Sequence, residues 1–322
     1  MTRARATGAG ALWVGLDLGG TNIKAVLADD AGRVLARETT GTRAEEGPGA
    51  VLGRMAALAR SVADGADASG CVRGLGVGSP GPLDSTRGVV VHTPNLPGWR
   101  DVAVADSLSK ATGWPTVLEG DANAAGLAEH RVGAGRGTRC MVLLTLGTGV
   151  GGAVILDGEL VRGADDTGGH LGHICVDPEG PVCGCGSRGC IEAFASAPNT
   201  LRRFREARAR GGASALADAP DLTTADLARA AGEGDALARE VLAETGRLVG
   251  VVLGSLANAI NPEVAVVGGG LANAGDLLFA PMREAMRAHS LSAPGKRMRI
   301  APPALEEPGA IGAALAARER LS

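Results

Sequence analysis

The chain has 322 residues, 45% of them hydrophobic and 21% charged, with a formal net charge of −3. That is the composition of a globular protein long enough for about two domains, and its balance of charge offers no basic footprint for nucleic acid or an anionic membrane. With three Phe, three Trp and no Tyr, platforms for stacking bases are scarce and the core must be filled by Ala, Val, Leu and Ile.

In chain order, Met1 to Gly15 places Arg3 and Arg5 ahead of a small, apolar run, faintly the outline of a signal peptide. That run leads directly into Asp17-Leu18-Gly19-Gly20-Thr21, which cleavage there would damage. Residues 12–17 read as a buried strand, and Lys24–Leu27 and Val34–Arg37 as two more, joined by the turn Asp29-Asp30-Ala31-Gly32. Gly49 to Ala63 has helical spacing, with Val51, Leu52, Met55, Leu58, Ala59 and Val62 on one face. A strand resumes at Leu75–Gly78 and is stopped by Ser79-Pro80-Gly81-Pro82; another follows at Gly88–His92, then the loop Thr93–Trp99. Val117-Leu118 leads into Glu119-Gly120-Asp121-Ala122-Asn123, where Asp121 sits at the N-cap position of a helix running to Glu129.

The opening theme then recurs. Met141–Leu146 reads as a strand, Gly147-Thr148-Gly149-Val150-Gly151-Gly152 as a glycine turn, Ala153–Leu156 as a strand and Asp157-Gly158 as a turn, an internal duplication of the unit at residues 12–37. Farther on, Ala197–Ala209 and Leu237–Ile260 read as helices, the second stopped by Asn261-Pro262; Gly211–Asp221 reads as a loop. Val264–Val267 reads as a strand before Gly268-Gly269-Gly270, with helices near Gly275–His289 and Ala310–Arg320. Strands alternating with helices predict an α/β fold, and the duplication predicts two similar lobes. The longest later apolar run, Leu248 to Ala257, is far short of the ~20 residues of a membrane span, so the cytoplasm is the expected address.

The segment from His170 to Glu192 carries the densest chemistry. His173 is followed after nine residues by Cys183, after one by Cys185 and after four by Cys190, three thiolates and an imidazole that match a closed tetrahedral zinc site. Four protein ligands leave no position for water, so such a metal would hold a loop. A Cys185–Cys190 disulfide and incidental clustering are the rival readings. Cys183 and Cys185 are too close to bridge each other comfortably, and nothing else in the sequence speaks for an oxidising compartment.

Asp17, Gly19, Gly20 and Thr21 put small residues and a hydroxyl at a tight turn after a strand, where backbone N–H groups can approach phosphate oxygens. Asp17 beside that turn could orient a hydrated Mg2+. Glycine turns are common in α/β proteins, but the second one, Gly147-Thr148-Gly149, strengthens the case for a nucleotide held by two loops. Gly268-Gly269-Gly270 could border an adenosine. None of these is a P-loop or a dinucleotide fingerprint.

The turn DLGGT, then PNLPGW, GDANAA, LGTGVGG, HLGH with CGCGSRGCIEAFAS, and VVGGG, in this order from about residue 12 to the end, resemble the ROK family of sugar kinases and sugar-responsive repressors. The resemblance implies the actin-like (hexokinase/ribonuclease H-like) fold: two α/β lobes, an interlobe cleft that takes ATP, and a C-terminal helix packing back on the first lobe. It divides the chain into 1–118 completed by 305–322, and 119–304 with the zinc loop 170–192. By position, Asp121 matches the catalytic base; Gly81, Asn95, Gly120, His170, His173 and Glu192 fall in the sugar shell, His173 doubling as a zinc ligand. His92, His130 and His289 have no such company and are read as structural or exposed.

Two positions depart from the family. Its usual Gly-Glu-x-Gly-His is Gly169-His170-Leu171-Gly172-His173 here, and its Asn-Asp-Ala-Asn is Gly120-Asp121-Ala122-Asn123. Both lie in the substrate shell. The resemblance implies a Mg2+-dependent kinase with structural zinc, most like a glucokinase or an N-acylhexosamine kinase, that moves a phosphoryl group from ATP or polyphosphate to the primary hydroxyl of a sugar and works as a dimer or tetramer; the two departures point to a substrate other than plain glucose. A sugar-responsive repressor is disfavoured by a first strand near residue 12, which leaves no room for a winged helix, and a sugar-binding pseudokinase by the retained Asp121 and Thr21.

Overall fold

The computed structural model describes residues 10–93, 96–216 and 220–322. Asn95 and most of the leader-like stretch lie outside the described residues. The chain forms two compact units: one from residues 1–137, 159–169 and 304–322, the other from 138–158 and 170–303. The first unit therefore runs on to Gly137, past the division at residue 118 read from the sequence, because the helix that follows Gly120 packs on the same sheet as the strands before it.

The strands of the first unit are β1 (Leu12–Leu18), β2 (Asn22–Asp29), β3 (Val34–Gly41), β4 (Val72–Ser79), β5 (Leu83–Asp84), β6 (Val89–His92), β7 (Arg100–Ala103) and β8 (Thr116–Gly120). Five of them form a sheet in the order β3-β2-β1-β4-β8, and β5, β6 and β7 form a small antiparallel sheet. β1 pairs antiparallel with β2 and parallel with β4, which pairs parallel with β8. Its helices are α1 (Pro48–Asp64), α2 (Val104–Thr112) and α3 (Asp121–Val132). In the second unit β9 (Met141–Leu146) pairs antiparallel with β10 (Val150–Leu156). The chain returns to the first unit for β11 (Glu159–Leu160) and the rest of segment 159–169. It then builds α4 (Glu192–Ala195), α5 (Ala197–Ala209), α6 (Thr224–Glu233), α7 (Ala236–Ile260), β12 (Val264–Gly268), α8 (Asp276–Ala288), α9 (Ser292–Arg297) and β13 (Arg299–Ala301), and ends in the first unit with α10 (Pro308–Leu321). β12 pairs parallel with both β9 and β13. The duplicated unit is real in space: each sheet holds a hairpin with a glycine turn, its first strand joined in parallel to a later one.

β1 reads as a continuous apolar run because both of its faces are covered. Alternate side chains point to opposite faces. Leu12, Val14, Leu16 and Leu18 join the cluster containing Val51, Met55, Leu58 and Val62 of α1. Trp13 joins Ala310, Ile311, Ala314 and Leu315 of α10. On that second face a Cβ on Gly15 would lie 2.0 Å from the Ala310 carbonyl oxygen, and one on Gly76 of β4 would lie 1.8 Å from that of Ala313. Gly312 of α10 is as tight against α3, its virtual Cβ 1.6 Å from the Ala124 carbonyl oxygen. The helix thus rests backbone on backbone. Glu129 of α3, fully buried, fastens both ends of this layer by accepting N–H bonds from Ala134, Ala304 and Leu305.

α2 and α6 have no counterpart in the sequence reading. α6 carries a capping box formed by Thr223 and Asp226, a short signal in a stretch otherwise dominated by Ala and Gly. No helix among the described residues is long and apolar enough to cross a membrane.

Glycine substitutions should separate packing from propensity. Gly312→Ala has no room and should lower the unfolding free energy by about 2–4 kcal/mol. Gly53→Ala, on an exposed turn of α1 with nothing within 4 Å, should raise it by about 0.5–1 kcal/mol. Urea unfolding of both variants checks the pair.

Candidate functional site

Three parallel strands of the first unit, β1, β4 and β8, end at one edge of the sheet, and ligands of open α/β sheets bind outside such carboxyl ends. β1 delivers Asp17 and the turn Gly19–Thr21, β4 leads to Gly81, and β8 delivers Gly120 and Asp121. Asp121 is the first residue of α3 and is exposed. The N-cap role read from the sequence belongs instead to Gly120, whose φ of −62° and ψ of 141° are those of the residue before a helix. No side chain caps α3; the Asp121 carboxylate accepts the N–H of Ala122 at 2.7 Å. An anion in this first turn is favoured by the helix dipole.

Asp17 is half-buried on β1, two strands away from Asp121, about 10 Å by sheet geometry. Burial, and then the charge of Asp121, push its carboxyl up from 3.8 to about 6; Lys24, its cross-strand partner, pulls the other way. Gly309 of α10 comes against it, so closely that a Cβ there would sit 2.7 Å from the carboxylate. The Gly19–Thr21 turn is held from behind by Thr42, which is fully buried. Its hydroxyl donates to the Gly19 carbonyl at 2.6 Å and its N–H to the Thr21 carbonyl at 2.8 Å. Arg54 of α1 in turn donates to the Thr42 carbonyl. Gly81 has a φ of +91° and abuts the His92 carbonyl, so a side chain is excluded there on both counts.

One residue beside Asp121 is a charge in an otherwise buried strand. Glu119 is 2% exposed, and its Oε2 accepts both Nε and Nη2 of Arg162, at 2.9 and 2.6 Å. A carboxylate at the inner end of an apolar strand is a signal that the sequence does carry.

In the second unit the turn Gly147–Gly149 closes with an N–H bond from Gly147 to the Gly149 carbonyl. β12 ends beside it, with Gly269 at φ +87° packed on the Leu146 carbonyl. Both glycine turns therefore lie at the carboxyl edge of this sheet. Glu192 opens α4, and its Oε2 accepts the N–H of Val150 at 2.9 Å, with no space for a Cβ at Gly149. Its Oε1 accepts from Cys183 at 3.6 Å. The ligand atoms of His173, Cys183, Cys185 and Cys190 lie within 4.8 Å of one another. Cys183 Sγ is 3.7 Å from His173 Nδ1, and Cys185 Sγ is 3.8 Å from Cys190 Sγ. Burial pushes the Cys183 thiol up to about 12, whereas an N–H from Ser187 holds Cys185 below the ordinary thiol range. His170 is exposed, its ring 6.2 Å from that of His173. His92 and His289 are exposed and His130 is buried in α3.

The sequence model of the ROK family matches residues 13–320. The chain belongs to the ROK family. This ROK chain is 40% identical over 316 residues to a glucokinase of Thermotoga maritima, covering 96% of this chain and 98% of that one. Its structure resembles a ROK hexokinase from Thermus thermophilus with a TM-score of 0.84 at 38% identity, covering 96% of this chain and 99% of that one. It also resembles a ROK glucokinase from Streptomyces griseus in complex with glucose and AMPPNP, with a TM-score of 0.81 at 32% identity and coverages of 96% and 100%. The fold is the actin-like one of that family.

Asp17 gives a pH test. Its proton is held more tightly in the folded chain than in the unfolded one, so the ionised carboxylate costs stability. The penalty is absent below about pH 4, grows as pH rises, and is complete above about pH 6. Asp17→Asn should therefore raise the melting temperature at pH 8, by a stability gain on the order of 1–3 kcal/mol, and the gain should vanish near pH 4. Thermal unfolding across this range checks it.

Proposed function

We propose that this ROK chain is an ATP-dependent sugar kinase that phosphorylates a hydroxyl, the primary 6-hydroxyl, of a hexose or hexose derivative, with Asp121 as general base. The observation that carries the reading is an exposed carboxylate at the carboxyl end of β8 that is not engaged as a helix cap. A base there takes the proton as the sugar oxygen attacks the γ-phosphorus of ATP, and ADP departs. Gly20 and Thr21 on one turn, and Thr148 and Gly149 on the other, supply backbone N–H groups and hydroxyls for the triphosphate, while Gly19 and Gly147 close those turns through their own N–H groups; Gly268, Gly269 and Gly270 border the nucleoside.

Asp17 suits magnesium. A carboxyl pushed up by burial and a neighbouring carboxylate gains a cation's attraction on ionising, and Asp17 would hold the Mg2+ that screens the phosphates. The four-residue cluster suits zinc. Bonds of about 2.3 Å in a tetrahedron separate neighbouring sulfurs by about 3.8 Å, which is the spacing found for Cys185 and Cys190. The metal would tie Nδ1 of His173 and leave its other ring nitrogen to donate to the sugar. Gly81, Asn95, Gly120, His170, His173 and Glu192 form the proposed sugar shell.

The substrate is a sugar other than plain glucose, because His170 and Gly120 replace a carboxylate and an amide of that shell. Gly120 is not required by the backbone: its φ is ordinary, and a Cβ would meet only Asn123 at 3.6 Å or more. An ADP-release assay over hexoses, amino sugars and cyclitols should give turnover with wild type and a loss of about 10²-fold or more for Asp121→Asn. Gly120→Asn should fold normally and shift the preference among these sugars about tenfold. Equal turnover by wild type and Asp121→Asn would remove the base from its role, and glucose as far the best substrate would remove the specificity reading.

Purified protein should carry one zinc per chain by elemental analysis. A thiol-competent chelator should lower the melting temperature and sugar affinity together, with zinc restoring both.

A further inference from the structure

We infer that Glu119 and Arg162 form a positioning device that sets the general base against the loop leading to His170; the inference rests on Asp121 being that base. Glu119 immediately precedes Gly120 and Asp121, and its two oxygens face two different parts of the first unit. Oε1 accepts the N–H of Gly120 and the Nδ2–H of Asn123, both at 3.2 Å, and so holds the first turn of α3. Oε2 accepts two N–H groups of Arg162, a guanidinium fork closed on a single oxygen, which holds the arginine by charge-assisted bonds from two directions.

Arg162 is itself the closing point of a loop. Its carbonyl accepts the N–H of Gly168 at 2.7 Å, and no Cβ fits on Gly168 because it would lie 2.7 Å from the Arg162 carbonyl carbon. The loop is tied a second time by Asp166, which sits at φ +57° and accepts the N–H of Ser85 at 2.9 Å. What leaves this loop is Gly169, the residue before His170. A single carboxylate therefore registers the base helix and the loop that ends at the sugar shell.

Stability does not account for the arrangement. A buried ion pair is commonly replaceable by apolar residues of similar volume without loss of stability. Here the pair also turns Asn123 so that its Oδ1 is buried without a partner among the described residues, an unfavourable arrangement. A polar network kept against that cost, two residues from the proposed base, is the pattern expected where geometry matters more than stability.

The test is steady-state kinetics on Glu119→Gln, Arg162→Met and the double variant, with wild type and Asp121→Asn alongside, each checked for melting temperature. The expected result is kcat about 10- to 100-fold lower in each single variant. KM for ATP should stay within about twofold, the melting temperature should fall more in Arg162→Met than in the double variant because only the former leaves a buried carboxylate without its partner, and the double variant should be no slower than the slower single one. Wild-type kcat in both single variants with Asp121→Asn inactive would overturn this inference and leave the base intact. Losses that multiply in the double variant, or that disappear when each variant is assayed well below its own melting temperature, would overturn it too. Full activity in Asp121→Asn would instead overturn the base reading beneath it. Should Glu119→Gln fail to fold, Arg162→Lys, which keeps the charge but not the fork, is read by the same criteria.

Discussion

The contact on which the first unit depends is the approach of α10 to β1, β4 and α3 without side chains between them. Gly15, Gly76 and Gly312 are the places where backbone meets backbone, and each would have to move if it gained a single carbon. This closeness has a chemical result. Gly309, at the start of the same helix, is brought against Asp17, so the helix that covers the sheet also removes water from one side of that carboxylate. Packing and electrostatics are the same fact at this point.

Around that edge the unit collects carboxylates with opposite treatments. Glu119 and Glu129 are buried and provided with donors: the first has two N–H groups and a guanidinium, the second several backbone N–H groups. Asp17 is half-buried and kept near another negative charge, and Asp121 stands exposed at a helix start. Glu119 and Glu129 thus hold structure, whereas Asp17 carries an uncompensated cost of burial and Asp121 keeps its access to water, the division expected around a site of the kind proposed here. The second unit handles its thiols in a similar way, burying Cys183 and Cys190 while leaving Cys185 and His173 exposed.

Much of this was legible in the residues. The strands ending in DLGGT and LGTGVGG are readable because a continuous apolar run followed by glycines marks a covered strand and its turn, and both open hairpins in the interior of their sheets, with β1 and β9 as the central strands. The cysteine spacing was readable because sequence neighbours in a tight loop stay neighbours in space. What was not readable depended on distant partners. The extension of the first unit to Gly137 follows from α3 meeting α10, nearly two hundred residues later. The Glu119 to Arg162 pair joins residues 43 apart, and α2 and α6 are short helices with only a few buried positions each, Val104 and Leu108 in one and Leu227, Ala230 and Ala231 in the other. Asp is a good N-cap residue, which is why the sequence points to Asp121 for that place, but Gly120 has the backbone angles the cap requires.

The first unit is assembled from three separate stretches of chain, the last of them 304–322. A polypeptide emerges from the ribosome in order, so the face of β1 and β4 that α10 covers is made long before its cover. Trp13, Val26 and Ala28 wait with an open apolar surface while the whole of the second unit is synthesised and has time to fold. In the cell, this order would make the nascent first unit a client of whatever shields sticky surfaces, and the final helix the event that releases it.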